Sequence, residues 1–281
     1  MKKIFLLLAG IFLFAGEIFS SEAIAKERLQ GDTASQFMSR LNFSPLLANP
    51  LEARIGVQYQ SDKKLRLDIG NSLDLIDLGK ELSIGTDFFV LTRLRSEGNF
   101  KFPVETSDYF FGLNVSSAPK KYFSDNVTNS FRLRVAHISS HVVDGLADTS
   151  GLLYKRPFVY SREFAELIGT MEFWQDFRIY AGLTYVWATQ PRNPNRSIPQ
   201  FGIEYRGPRS KSQIFAAYDF KLTGIKDVYS GVHSWQAGYI LGADFGTALM
   251  LSFYGYQGRS VHGMFYNEHD SYLGFGFQVL Y

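Results

Sequence analysis

Residues 137–141 read His137-Ile138-Ser139-Ser140-His141, and further along stands Tyr160-Ser161-Arg162-Glu163. A serine hydroxyl is a weak nucleophile until a neighbouring base takes its proton. Histidine suits that task because its pKa lies close to neutral pH. A third polar group on the far ring nitrogen fixes the tautomer and steadies the imidazolium. On an extended chain, residues two apart share a face at roughly 6.5–7 Å between Cα atoms, so a His-x-Ser pair can meet. His137 as base, Ser139 as nucleophile and Glu163 as orienter form a set for acyl-ester hydrolysis. Ser161 and Arg162 are the neighbouring groups for binding a phosphate or sugar. The plainer alternative is a set of polar rim residues that binds lipid without turnover.

Such a set needs rigid elements that bring residues 137–139 beside residue 163. The 281-residue chain is 46% hydrophobic and 16% aromatic. Its mean hydropathy is −0.08, too low for a bundle of membrane helices. Apolar and polar residues that alternate reconcile the two figures. The net charge of +2 gives no footprint for nucleic acid. The absence of cysteine excludes disulfides, thiolate metal sites and cysteine nucleophiles. Lys2 and Lys3 precede the apolar run Ile4 to Ala15, and Ala23-Ile24-Ala25 offers small residues for cleavage. This pattern is a secretory signal peptide over 1–25. Residues 26–51 read as a short periplasmic lead-in and 52–281 as a barrel.

Period-two patterning recurs along that stretch. Phe131, Leu133 and Val135 alternate with Arg132 and Arg134; Phe177, Ile179, Ala181 and Leu183 alternate with Arg178, Tyr180 and Gly182. The last strand presents Leu273, Phe275, Phe277, Val279 and Tyr281 on one face. This face resembles the terminal strand by which Gram-negative outer-membrane barrels are recognised for insertion, which implies the barrel assembly machinery as a partner. The expected fold is therefore all-β, a transmembrane antiparallel β-barrel of about twelve strands in the outer membrane of a Gram-negative bacterium. The strand spans read 52–60, 64–75, 82–94, 108–117, 129–139, 159–173, 177–188, 198–206, 212–221, 234–243, 248–257 and 271–281. Gln175-Asp176, 207–211 and 244–247 read as short periplasmic turns, and 118–128 as a long one. Segments 140–158, 189–197, 222–233 and 258–270 read as outer loops.

Parity then decides what faces lipid. The outward set of the fifth strand continues from Val135 through His137 and Ser139. On the sixth, the outward set of Leu167, Gly169 and Met171 runs back through Glu163 and Ser161. Arg162 falls on the inward parity. Inward Arg132, Arg134, Arg178 and Arg206 are expected to pair with Asp68, Asp87, Glu204 and Asp219 in a filled lumen, with an anion-selective channel as the alternative. His262, Glu268, His269 and His233 read as loop residues whose spacing matches no metal-ligand pattern. Asp144 and Asp148 offer two oxygen donors for calcium, which needs six or more.

Four segments stand in order: Phe43-Ser44-Pro45-Leu46-Leu47-Ala48-Asn49-Pro50, His137 to His141, Tyr160 to Glu163, and Gly258-Arg259-Ser260-Val261-His262-Gly263-Met264-Phe265. Together they resemble the bacterial domain-of-unknown-function family 1207 over most of the chain. The departures are Val142-Val143-Asp144-Gly145, where that family tends to have a Gly-Asp-Glu-like run, and His262-Gly263-Met264 in place of its usual Asn-Gly-Gln. The resemblance implies a cell-envelope location. A more distant likeness is to outer-membrane phospholipase A and lipid A deacylase, which carry His-x-Ser on the outer wall of a barrel. That likeness implies His137 as base, Ser139 as nucleophile, Glu163 as orienter, and outer-leaflet phospholipid or lipid A as substrate. Ser140 stands where those motifs usually have Asn. The remaining alternatives are a non-enzymatic barrel that binds or stabilises lipopolysaccharide, and a narrow channel.

Overall fold

The computed structural model describes residues 41–281 except 80, 125, 149, 175, 208–211, 243–247 and 281, and the side chains of 122–124 and 280. The expected signal peptide, the first part of the lead-in, Gln175, and most of the turns at 207–211 and 244–247 lie outside the described residues. The strands are β1 (Ile55–Gln60), β2 (Lys64–Leu78), β3 (Leu82–Arg95), β4 (Val104–Ser117), β5 (Lys120–Ser124), β6 (Val127–Val142) and β7 (Tyr160–Phe173). They continue as β8 (Phe177–Gln190), β9 (Ser197–Arg206), β10 (Ser212–Ile225), β11 (Val228–Leu241), β12 (Ala248–Arg259) and β13 (His269–Leu280). Neighbours pair antiparallel from β4 through β1 to β13 and down to β6, and β4 also pairs with β6. That last pairing closes a twelve-stranded barrel, which leaves no free sheet edge. Short β5 continues past the end of β4 along the same edge of β6 and pairs with its start.

Each expected strand is present, and two expected connections are corrected. Residues 222–233 are not a long loop: β10 and β11 run on and turn at Lys226 and Asp227. Both have positive φ, 48° and 66°, as a tight two-residue hairpin turn requires. Lys-Asp lacks the Asn-Gly signature of such turns, so the turn is silent in the sequence. Residues 118–128 are not one open turn either, because β5 folds back along β6. Several strands also extend past their expected ends toward one rim. The apolar half of the alternation fades there, and the periodic signal fades with it. That rim carries connections 143–159 and 260–268 and is called the loop end. The opposite rim is the turn end.

Alternation places large apolar side chains on the outside. Phe253 is 67% exposed, Phe275 60% and Phe88 56%, and similar residues ring the cylinder on strand after strand. Among the described residues no helix is long and apolar enough to cross a membrane. The apolar band that suits one belongs to the strands. Buried charged residues such as Arg134, Asp87 and Glu204 share the inside with apolar ones such as Phe89, Phe110 and Met250.

The lumen is filled, and residues 42–54 do much of the filling. Phe43, Leu46, Leu47, Asn49 and Glu52 are all buried. Glu52 accepts from both terminal guanidinium nitrogens of Arg132, at 2.8 and 2.6 Å. Arg178 donates to the carbonyls of Ser44 and Pro45, each at 2.9 Å, and to Glu204. The backbone N–H of Leu47 donates to Glu204 at 2.7 Å, and Lys221 donates to Asn49 at 2.6 Å. The expected lumenal pairing thus occurs, with partly different partners. Arg134 meets Glu166 at 2.8 Å and Asp87 at 3.9 Å, while Asp68 meets Arg66 at 2.7 Å and Asp219 accepts from Tyr180 at 2.8 Å. A cavity beside Arg54, Arg66 and Tyr254 measures about 20 Å³, room for about one water. A lumen so filled does not support the channel reading, and planar-bilayer recordings of the purified barrel are expected to be silent.

Removing Glu52 leaves Arg132 buried with half its partners. Glu52→Ala is expected to lower stability by about 3–5 kcal/mol. Urea unfolding in detergent micelles measures this. Unchanged unfolding would show that the segment fills the lumen without bracing it.

Candidate functional site

The outward parity of β6 carries Phe131, Leu133 and Val135, all exposed, and then His137 and Ser139. In the register of β6 with β7, His137 stands opposite Glu163 and Ser139 opposite Ser161. His137 Nδ1 and Glu163 Oε1 are 3.0 Å apart, and each side chain is 30% exposed. A carboxylate can only accept, so Nδ1 is the donor of this contact, and in a neutral ring that tautomer leaves the lone pair on Nε2. Phe111 on β4 flanks the other side of the imidazole, ring centres 5.2 Å apart. The ring is thus held between an aromatic face and a carboxylate, with Ser139 two residues along the same face.

Local irregularity gives Glu163 room. The β7–β8 register shifts between Glu163 and Phe164, so Ala188 lies across from Glu163 and Val186 across from Phe164. Trp187 is the extra residue of this bulge, and a small side chain rather than the indole stands opposite the carboxylate. Arg162 does not join the outward group. It lies on the inner face, its guanidinium 5.2 Å over the Tyr160 ring.

Directly behind the patch is a second polar cluster that the sequence reading missed. Ser140 faces inward and is buried. Its Oγ accepts from the backbone N–H of Met264 at 3.1 Å and lies 3.1 Å from Thr106 Oγ1. Asp108 on β4 binds His262 Nδ1 and the backbone N–H of Gly263, each at 2.7 Å. His262 is therefore a buried latch that draws residues 260–268 into the barrel mouth, not a solvated loop histidine. A Cβ on Gly263 would lie 2.3 Å from the Tyr160 ring, so only glycine permits that approach. The segments beginning at His137, Tyr160 and Gly258 converge here, and their order along the chain was the one available signal. His233 and His269 prove to be strand residues of β11 and β13.

The calcium donors do not assemble. Asp148 Oδ1 accepts from the Ser150 hydroxyl and from the N–H groups of Ser150 and Leu152, which holds its carboxyl below the usual carboxylate range. Asp144 opens a short 3₁₀ turn. Among the described residues no three His, Asp or Glu side chains converge as a metal site. With Asp148 engaged by its own loop and no third carboxylate beside it, the two acids do not fit calcium.

A closed twelve-stranded antiparallel barrel with a filled interior and an apolar band on its outer wall has the architecture of outer-membrane barrels. An active-site mutant of outer membrane phospholipase A from Escherichia coli is similar in fold: TM-score 0.60, 14% identity, covering 88% of this chain and 96% of that one. The Salmonella typhi outer membrane phospholipase, a dimer with bound calcium, gives TM-score 0.60 at 13% identity, covering 88% and 97%. The chain belongs to the family described as "Protein of unknown function (DUF1207)", whose model matches residues 17–281. Comparison with curated proteins yields no match.

Asp108→Ala removes the two bonds Asp108 makes to the 260–268 loop and leaves the buried His262 Nδ1 and Gly263 N–H without this partner. A loss of about 1–3 kcal/mol is expected. Hydrogen exchange at Gly263 and Met264 should accelerate with it. Unaltered exchange there would dismiss the latch.

Proposed function

We propose that the protein is an interfacial lipid acyl-ester hydrolase of the Gram-negative outer membrane. In this reading the loop end faces outward and the substrate is outer-leaflet phospholipid or lipid A. The observation that carries it is the 3.0 Å contact between His137 Nδ1 and Glu163 Oε1 on the lipid-facing wall, with Ser139 next on the same face. Likeness in fold to outer membrane phospholipase A supports it by analogy, since a polar patch on the outer wall of such a barrel would meet membrane lipid.

The chemistry uses this chain's own groups. Ser139 Oγ attacks the acyl carbonyl carbon as His137 Nε2 takes the hydroxyl proton. Glu163 holds the Nδ1 proton and stabilises the imidazolium. Ser161, one register position across from Ser139, donates to the carbonyl oxygen as it gains charge. Collapse of the tetrahedral intermediate breaks the ester bond. The lysolipid alkoxide leaves with the proton from His137, and Ser139 keeps the acyl group. Water, deprotonated by His137, then releases the fatty acid and restores the hydroxyl. The ester reaches this site sideways from the bilayer, so no path through the filled lumen is needed.

Purified protein in mixed micelles is expected to release fatty acid from phosphatidylethanolamine or lipid A. Ser139→Ala and His137→Ala should each cut kcat by about 10²–10⁴-fold. Glu163→Gln should cost less, because its amide oxygen can still accept from Nδ1. A folded Ser139→Ala protein with full turnover would remove Ser139 from the reaction.

A further inference from the structure

Six strands around the ring from β6, the outer wall carries another polar group, on β11, β12 and β13. His233 stands opposite Gln257, and Gln257 opposite Ser271. All three lie on the outward parity shared with exposed Trp235, Phe253 and Leu273. Ser61, just past β1, joins them: its Oγ accepts from the backbone N–H of Leu273 at 3.1 Å. The His233 ring is fixed by its Nδ1, 2.7 Å from the Tyr218 hydroxyl oxygen.

The next row toward the turn end is Trp235, Gly255 and Leu273. A Cβ on Gly255 would lie 1.9 Å from the Trp235 ring, so the indole lies flat across a position that offers no side chain. Beside the indole, an open hollow of about 320 Å³ is lined by Trp235, Leu273 and the polar row of His233, Gln257, Ser271 and Ser61. Its lining carries no carboxylate, ammonium or guanidinium. Neutral donors (the Gln257 amide and the Ser61 and Ser271 hydroxyls) suit a carbonyl oxygen better than a phosphate. Toward the turn end the wall continues as Phe253 and Phe275, paired in register and exposed.

We infer that this hollow is a lipid-binding site that holds the acyl-carbonyl region of one membrane lipid, with its chain lying over Trp235, Leu273 and Phe275. Polar groups at the head of an apolar groove match that molecule's own change of polarity at the carbonyl. The site lies across the barrel from His137, and its occupancy does not depend on the esterase reading. An ester of a phosphoglyceride and an ester or amide of lipid A present the same carbonyl.

Native mass spectrometry of the delipidated, refolded full chain tests this. The probes are phosphatidylethanolamine, its dialkyl-ether analogue and lipid A. The wild-type protein is expected to retain phosphatidylethanolamine or lipid A, and the one retained identifies the source. Gln257→Leu should weaken retention about tenfold, as should the ether analogue with the wild-type protein, each having lost a hydrogen bond to the carbonyl. Equal retention of ester and ether lipid, equal retention by Gln257→Leu, or retention of neither lipid would overturn the inference. The ether comparison needs no variant, so a folding defect in Gln257→Leu cannot rescue it.

Discussion

The structure depends on a buried charge network at the β6–β7 seam. Arg132 and Arg134 point inward from β6, Glu166 from β7, and Glu52 from the segment inside the lumen. Glu166 accepts from Arg134 at 2.8 Å and Arg132 at 3.2 Å, while Glu52 holds Arg132. Arg134 and Glu166 are direct cross-strand partners, as are His137 and Glu163 farther up the same pair of strands. A slip of one residue would turn Arg134 toward lipid and His137 into the lumen. A charge in hydrocarbon is costly, so the inner ion pairs hold the register that aligns the outer histidine and carboxylate.

A β-strand has two faces, and β6 uses both near the loop end. Ser139 faces the outside, while adjacent Ser140 faces in and holds the 260–268 loop through the N–H of Met264. Phe111 supports the imidazole from outside, and Asp108 on the same strand grips His262 inside. The outward patch therefore rests on a packed interior. A filled barrel supplies the rigidity that fixes the geometry of such a patch.

Likeness in fold at 13–14% identity shows how little of such a barrel depends on particular residues. Closure needs strand number, tilt and alternation, and many sequences satisfy these. The lumen is more particular to this chain. Arg178 reads the backbone carbonyls of Ser44 and Pro45, and Arg66 that of Pro50. Three residues of the Phe43–Pro50 segment are thus gripped by arginines from the barrel wall.

Period-two alternation was enough to read the all-β barrel, its twelve strands and the outward direction of His137, Ser139, Ser161 and Glu163, because side-chain direction along a strand is a local property. The turn at Lys226 and Asp227 was not legible, since its positive φ values belong to residues that carry no turn signature. Nor was the packing of residues 42–51, which read as a lead-in, and of Glu52, which read as strand, into the lumen, because their partners (Arg132, Arg178, Glu204 and Lys221) lie far along the chain. The meeting of His137 with Glu163, and of His262 with Asp108, likewise required the register between strands and the path of a loop. Those are set by inner-face contacts over long sequence separations, which no local pattern encodes.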